Sequence, residues 1–150
     1  MGCVCALAQG YTPDLVRRAS QGDVKAQFDL GVAYARGLSV SKDYAQAAAW
    51  YRKAAEQGDV RAQTNLGGMY GNGQGVKRDD AQAATWYLKA AEQGDPIAQF
   101  NLGLAYANGR GVIQNHARAV KWFRKSAEQG FTPAQTQLNI MNQSDKDAAK

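Results

Sequence analysis

The five residues Ala54-Ala55-Glu56-Gln57-Gly58 return as Ala90-Ala91-Glu92-Gln93-Gly94 and again as Ser126-Ala127-Glu128-Gln129-Gly130. The interval is 36 residues each time, with no insertion. A strict period of this length is the mark of stacked supersecondary units, each burying its apolar face only against its neighbours. Three full units follow, 23–58, 59–94 and 95–130. A half unit, 13–22, precedes them, with Ala19-Ser20-Gln21-Gly22 matching the end of a unit. A fourth starts at Phe131 and keeps Ala134, Gln135 and Leu138 before it fades.

Within a unit the punctuation is helical. Gly22-Asp23, Gly58-Asp59 and Gly94-Asp95 each pair a helix-ending glycine with an N-cap aspartate. Pro96 falls at the first helical position, where a missing N–H costs nothing. Ala26, Leu30, Gly31 and Tyr34 repeat at helical spacing up to Gly37. About six loop residues then lead to Asp43, Asp79 or Asn115, each fit to cap a second helix bearing Ala47, Trp50, Tyr51, Ala54 and Ala55. Leu30, Leu66 and Leu102, with Tyr34, Tyr70 and Tyr106, are the expected filling between helices. Gly31, Gly67 and Gly103 and Ala47, Ala83 and Ala119 are small enough for close approach, and Trp50, Trp86 and Trp122 offer apolar surface to a neighbour.

The pattern Ala26-Gln27-x-x-Leu30-Gly31-x-x-Tyr34, a loop ending in Val40, Val76 or Val112, then Ala47-x-x-Trp50-Tyr51-x-Lys53-Ala54-Ala55-Glu56-Gln57-Gly58, resembles the Sel-one-like repeat. This is a subfamily of the tetratricopeptide-like repeats, and the resemblance covers about residues 14–140. It implies an all-α fold, a right-handed α-solenoid of antiparallel helix pairs with about eight helices and a concave face. It also implies an adaptor in signalling, protein quality control or bacterial contact with host cells. Residues 131–143 then read as a capping helix and 144–150 as a polar tail, the solvated end of the chain. The lone half unit at the other side reads as a place where a longer chain was cut.

Composition narrows the function classes. With 150 residues, 45% apolar and 21% charged, the chain can bury a core, and no apolar run nears the roughly 18 residues of a membrane-spanning helix. A net charge of +5, read as basic residues that recur as isolated members of repeats, offers no expected Lys/Arg stripe with interleaved aromatics for nucleic acid. Neither a cofactor motif nor a metal-ligand set is present. His116 is the single histidine, and Glu56, Glu92 and Glu128 recur with the repeat, so no nucleophile–base pair emerges. Cysteine-rich relatives of the resembled family have been described as binding or hydrolysing β-lactams, through units that each carry a cysteine pair. Here Cys3 and Cys5 stand outside every unit. Residues 1–12 read as an N-terminal tail. Cys3-Val4-Cys5-Ala6-Leu7-Ala8 either resembles the end of a secretory signal, implying a periplasmic or secreted protein, or is a plain tail on a cytoplasmic one.

The candidate binding residues come from what varies. On the first helices the positions Lys25/Arg61/Ile97, Phe28/Thr64/Phe100, Val32/Gly68/Leu104 and Ala35/Gly71/Ala107 share one face. With Arg36 and Asn108, these residues (Lys25, Phe28, Val32, Arg61, Thr64, Ile97, Phe100 and Leu104) form a strip suited to a peptide or protein partner on the concave face. Asn65, Asn72 and Asn101 are added donors. The competing reading is packing between units, or self-association of a structural repeat protein.

Overall fold

The structure is a computed structural model describing residues 10–148, with side chains as far as residue 143. Among the described residues there are eight helices and no strand: α1 (Pro13–Ser20), α2 (Val24–Arg36), α3 (Tyr44–Glu56), α4 (Val60–Asn72), α5 (Asp80–Glu92), α6 (Pro96–Asn108), α7 (His116–Glu128) and α8 (Thr132–Ala148). Each of α2 to α7 packs on the helix before and the helix after it, so the described residues form a solenoid of helix pairs. α2–α3, α4–α5 and α6–α7 are the three full units, and α1 is the second helix of the half unit.

The caps fall where the sequence puts them. The Asp23, Asp59 and Asp95 side chains accept from the backbone N–H of Ala26, Ala62 and Ala98. Asp43, Asp79 and Asn115 do the same for α3, α5 and α7. The first helices stop where Gly37, Gly73 and Gly109 turn left-handed. The loop then doubles back, so that Asp43 N–H donates to the Tyr34 carbonyl at 3.0 Å, and Asp79 and Asn115 repeat the bond to Tyr70 and Tyr106. The polar tail expected from residue 144 is instead a continuation of α8 to Ala148. The reason lies at one position. Asp145 stands where the earlier units have Gly37, Gly73 and Gly109, so nothing ends the helix there.

The core is a string of clusters, each joining the second helix of one unit to the first helix of the next. Leu15 and Ala19 meet Ala26 and Leu30; Ala54 and Ala55 meet Ala62 and Leu66; Ala90 and Ala91 meet Ala98 and Leu102; Ala119 and Phe123 meet Ala134 and Leu138. Trp50, Trp86 and Trp122 each lean back onto the preceding cluster. Lys53, Lys89 and Lys125 place their ammonium groups over the indole rings, 3.9, 4.3 and 4.9 Å from the centroids. The glycines Gly31, Gly67 and Gly103 do more than let helices approach. A Cβ at any of them would stand 2.6–2.8 Å from the ring of Tyr51, Tyr87 or Phe123.

A polar ladder runs along this core. The Gln27, Gln63 and Gln99 amides are buried and donate to the carbonyls of Ala19, Ala55 and Ala91, at 3.1, 3.1 and 3.2 Å. Their own oxygens accept from Gln57, Gln93 and Gln129 of the same unit, at 2.7, 2.8 and 2.9 Å. Gln93 and Gln129 also reach back to the Gly58 and Gly94 carbonyls of the unit before. One glutamine pair thus ties each unit to its predecessor. Gln63→Met keeps the volume but removes the side-chain bond to the Ala55 carbonyl, which retains the Gly58 N–H, and the bond from Gln93. It is expected to cost about 1–3 kcal/mol in urea unfolding. Gln135→Met, at the ladder position of α8 but exposed and bonded to Asn139 of its own helix, should change stability by less than about 0.5 kcal/mol.

Candidate functional site

The variable positions of the first helices divide by burial. Lys25, Arg36, Arg61, Ile97 and Asn108 are exposed, Ile97 at 47%. Phe28, Val32, Thr64, Phe100 and Leu104 are half-buried and serve packing as well. The Phe28 ring lies 5.7 Å from that of Tyr51, and the Arg61 guanidinium covers it at 3.9 Å. Arg61 also pairs with Asp59 at 2.9 Å. The Thr64 hydroxyl has the Val60 carbonyl and the Asp95 carboxylate within reach, at 3.1 and 3.0 Å. Phe100 is wedged between Phe123 and Phe131, at 5.7 and 5.3 Å. This position therefore bridges one first helix to the start of the next in all three units.

Beside this strip lies a cleft of about 340 Å³, where α4, α5 and α6 meet. Leu104 and Asn101 line it from α6, Gly71 and Asn72 from α4, and Tyr87, Ala83, Ala84 and Asp80 from α5, with Arg110 at its mouth. Arg110 pairs with Asp80 at 3.3 Å, and Arg78 pairs with the same carboxylate at 3.1 Å. Hydrogen bonding from Arg78, and then from Arg110, holds the Asp80 carboxyl below its ordinary value of 3.8 against the pull of burial. Burial raises Tyr87, while the charge of Arg110 works the other way.

One unit upstream the same slot holds Tyr51, also raised by burial, with a hydrogen bond to Asn65 and the charge of Arg36 opposing. In both places a tyrosine of a second helix meets an asparagine of the next first helix near an arginine. Phe123 breaks the series in the third unit. Leu104 and the asparagines were visible as candidates in the sequence, but Tyr87, Asp80 and Arg110 were not. The sequence places Tyr51 on the helical face of a second helix and does not single out Tyr87; the Tyr, Tyr, Phe alternation is the one signal that this position accepts a hydroxyl.

The 36-residue units match the Sel1 repeat model three times, at residues 24–59, 60–95 and 96–131. The chain belongs to the Sel1 repeat family. It is similar in structure to a protective antigen of uropathogenic Escherichia coli strains displaying an SLR fold, with a TM-score of 0.83 and 45% identity over 85% of this chain. It spans only 27% of that protein's length. A Sel1 repeat protein from Oxalobacter formigenes aligns at 0.77 with 41% identity, over 85% of this chain and 96% of the other. The Helicobacter pylori cysteine rich protein B aligns at 0.66 with 30% identity, over 87% and 100%. A search of curated proteins gives no match. Cys3 and Cys5, and the stretch ending at Ala8 that bears on export, lie outside the described residues. No described helix of this Sel1 repeat chain is long and apolar enough to cross a membrane, and the described residues hold no cluster of three or more metal-ligating side chains.

Proposed function

We propose that this Sel1 repeat protein is an adaptor that holds a protein or peptide along the face formed by α2, α4 and α6. The observation that carries this reading is the divergence of that face within an otherwise strict repeat. Lys25, Arg61 and Ile97 occupy equivalent exposed positions with three different chemistries, while the packed face stays constant. Such a surface is free to fit something other than its own neighbours. The polar cleft adds donors and acceptors for a bound backbone: the Tyr87 hydroxyl, Asn72 and Asn101, next to the apolar Leu104. A Sel1 repeat scaffold suits protein partners, and a periplasmic or secreted setting is the localisation we favour.

A photo-reactive amino acid placed at Ile97 or Asn108, and at Lys53 on a second helix as reference, tests the face directly. In extract of the source cell, Ile97 and Asn108 should give a discrete protein adduct and Lys53 should not. With the partner in hand, Tyr87→Phe combined with Asn101→Ala should weaken binding about tenfold, from two lost hydrogen bonds. Adducts from Lys53 alone, or from no position, would remove the assignment. Phe100→Ala is a poor probe, because its ring supports Phe123 and Phe131.

A further inference from the structure

The repeat is so regular that a local departure in surface charge stands out, and the largest is on α7. Arg118, Lys121, Arg124 and Lys125 are all exposed and lie on adjoining turns. One period earlier the same positions hold Gln82, Thr85, Leu88 and Lys89, and two periods earlier Gln46, Ala49, Arg52 and Lys53. Four cations thus stand where the second unit has one and the first has two. Glu128 is the single carboxylate on the helix.

None of the four cations forms an ion pair among the described residues. Arg118 donates to the Tyr106 hydroxyl at 3.3 Å, and Lys125 lies over Trp122. Lys121 and Arg124 point to solvent. Like charges this close on one helix repel, so the fold gains nothing from them. The loop entering α7 departs in the same unit. Ile113 is 91% exposed, and its counterparts are Ser41 and Lys77.

We infer that the outer face of α7, with Ile113 in the loop that leads into it, docks an acidic segment of a partner protein that carries an apolar residue beside its carboxylates. Arg118 to Lys125 spans about 10 Å of helix, a length that matches three or four carboxylates of a short peptide. Duplex nucleic acid needs a broader field of about six to ten phosphate contacts. The neighbouring face of α5 does not continue the field, since it offers Gln82, Thr85 and Leu88 beside a lone Lys89. This surface lies on a second helix, apart from the first-helix face proposed above, and does not depend on it.

The probe is a fluorescein-labelled octapeptide with four glutamates around a central leucine, with a glutamine-substituted copy as control. Fluorescence anisotropy follows its binding to the full chain at about 50 mM and about 300 mM salt. Saturable binding should appear at low salt and weaken about tenfold at the higher salt. The variant Arg118→Gln/Lys121→Thr/Arg124→Leu takes the residues of the second unit, so the repeat already accommodates them. With an unchanged circular dichroism spectrum, it should bind about tenfold more weakly. Ile113→Lys should bind the glutamate peptide more weakly than wild type despite its added charge. The proposal is overturned if the triple variant binds like wild type, if the glutamine peptide binds as well as the glutamate one, or if wild type binds neither. Binding to anionic lipid vesicles without binding to the peptide would also overturn it.

Discussion

Phe123→Ala is expected to cost about 3–5 kcal/mol, and to melt one end of the molecule before the other. The ring is fully buried, lies against the bare Cα of Gly103 and the ring of Phe100, and shares a cluster with Ala119, Ala134 and Leu138. Removing it leaves a cavity where α6, α7 and α8 meet. A solenoid's stability is close to a sum of unit and interface terms, so the loss falls on the last unit and on α8. Urea unfolding followed by far-ultraviolet circular dichroism should change from one transition to two. Hydrogen exchange should show α7 and α8 opening while α2 to α5 stay protected. Phe123→Tyr restores the residue of the other two units and should shift stability by less than about 1 kcal/mol. A single transition at the wild-type midpoint for Phe123→Ala would mean that the units are not coupled through this ring.

Repetition also decides what is legible in the sequence. The helices, their caps and the stacking order could be read because each is enforced three times, and a chance match does not recur in register. Asp23, Asp59 and Asp95 announce helix starts by chemistry that acts within three residues. The glutamine ladder was equally periodic, with Gln27, Gln63 and Gln99 beside Gln57, Gln93 and Gln129. The sequence alone does not reveal it, because glutamine is usually a surface residue and only the fold places the two rows side by side. The face proposed for a partner was half legible. Helical spacing puts Phe28 and Phe100 on the strip with Lys25 and Ile97, and it cannot tell that an aromatic there reaches Arg61 or Phe131 of the next unit. That distinction depends on the angle between successive units, which no single unit encodes. The cleft was hidden for a related reason, since Tyr87, Asn101 and Arg110 come from two units and a loop.

The glycine-rich loops reverse the chain between helices, and the packing asks more of two of their glycines. Gly111→Ala is expected to destabilise by about 2–5 kcal/mol, a large effect for one methyl group at an exposed position. Two costs are involved, and the chain itself separates them. Gly111 has φ 71°, the left-handed region, and an alanine there pays about 1–2 kcal/mol. One hundred and eleven less two periods is Ser39, which holds φ 58° with a side chain in place, so the backbone shape alone is tolerable. The second cost is contact. A Cβ on Gly111 would stand 1.9 Å from the carbonyl oxygen of Asp80 and 2.6 Å from the Ala81 nitrogen, atoms of the first turn of α5. Gly75 faces the first turn of α3 in the same way, at 2.1 Å from the Tyr44 carbonyl oxygen. Backbone cannot swing aside as a side chain can, so the loop must lift off the preceding unit, adding about 1–3 kcal/mol of overpacking. It would carry Arg110 away from Asp80 as it lifts. Thermal and urea unfolding of Gly111→Ala should therefore show a loss well beyond the change on making Ser39→Gly, which removes the strain of a left-handed serine and stays within about 1 kcal/mol. Equal, small effects at both positions would show that these loops do not clamp one unit to the next.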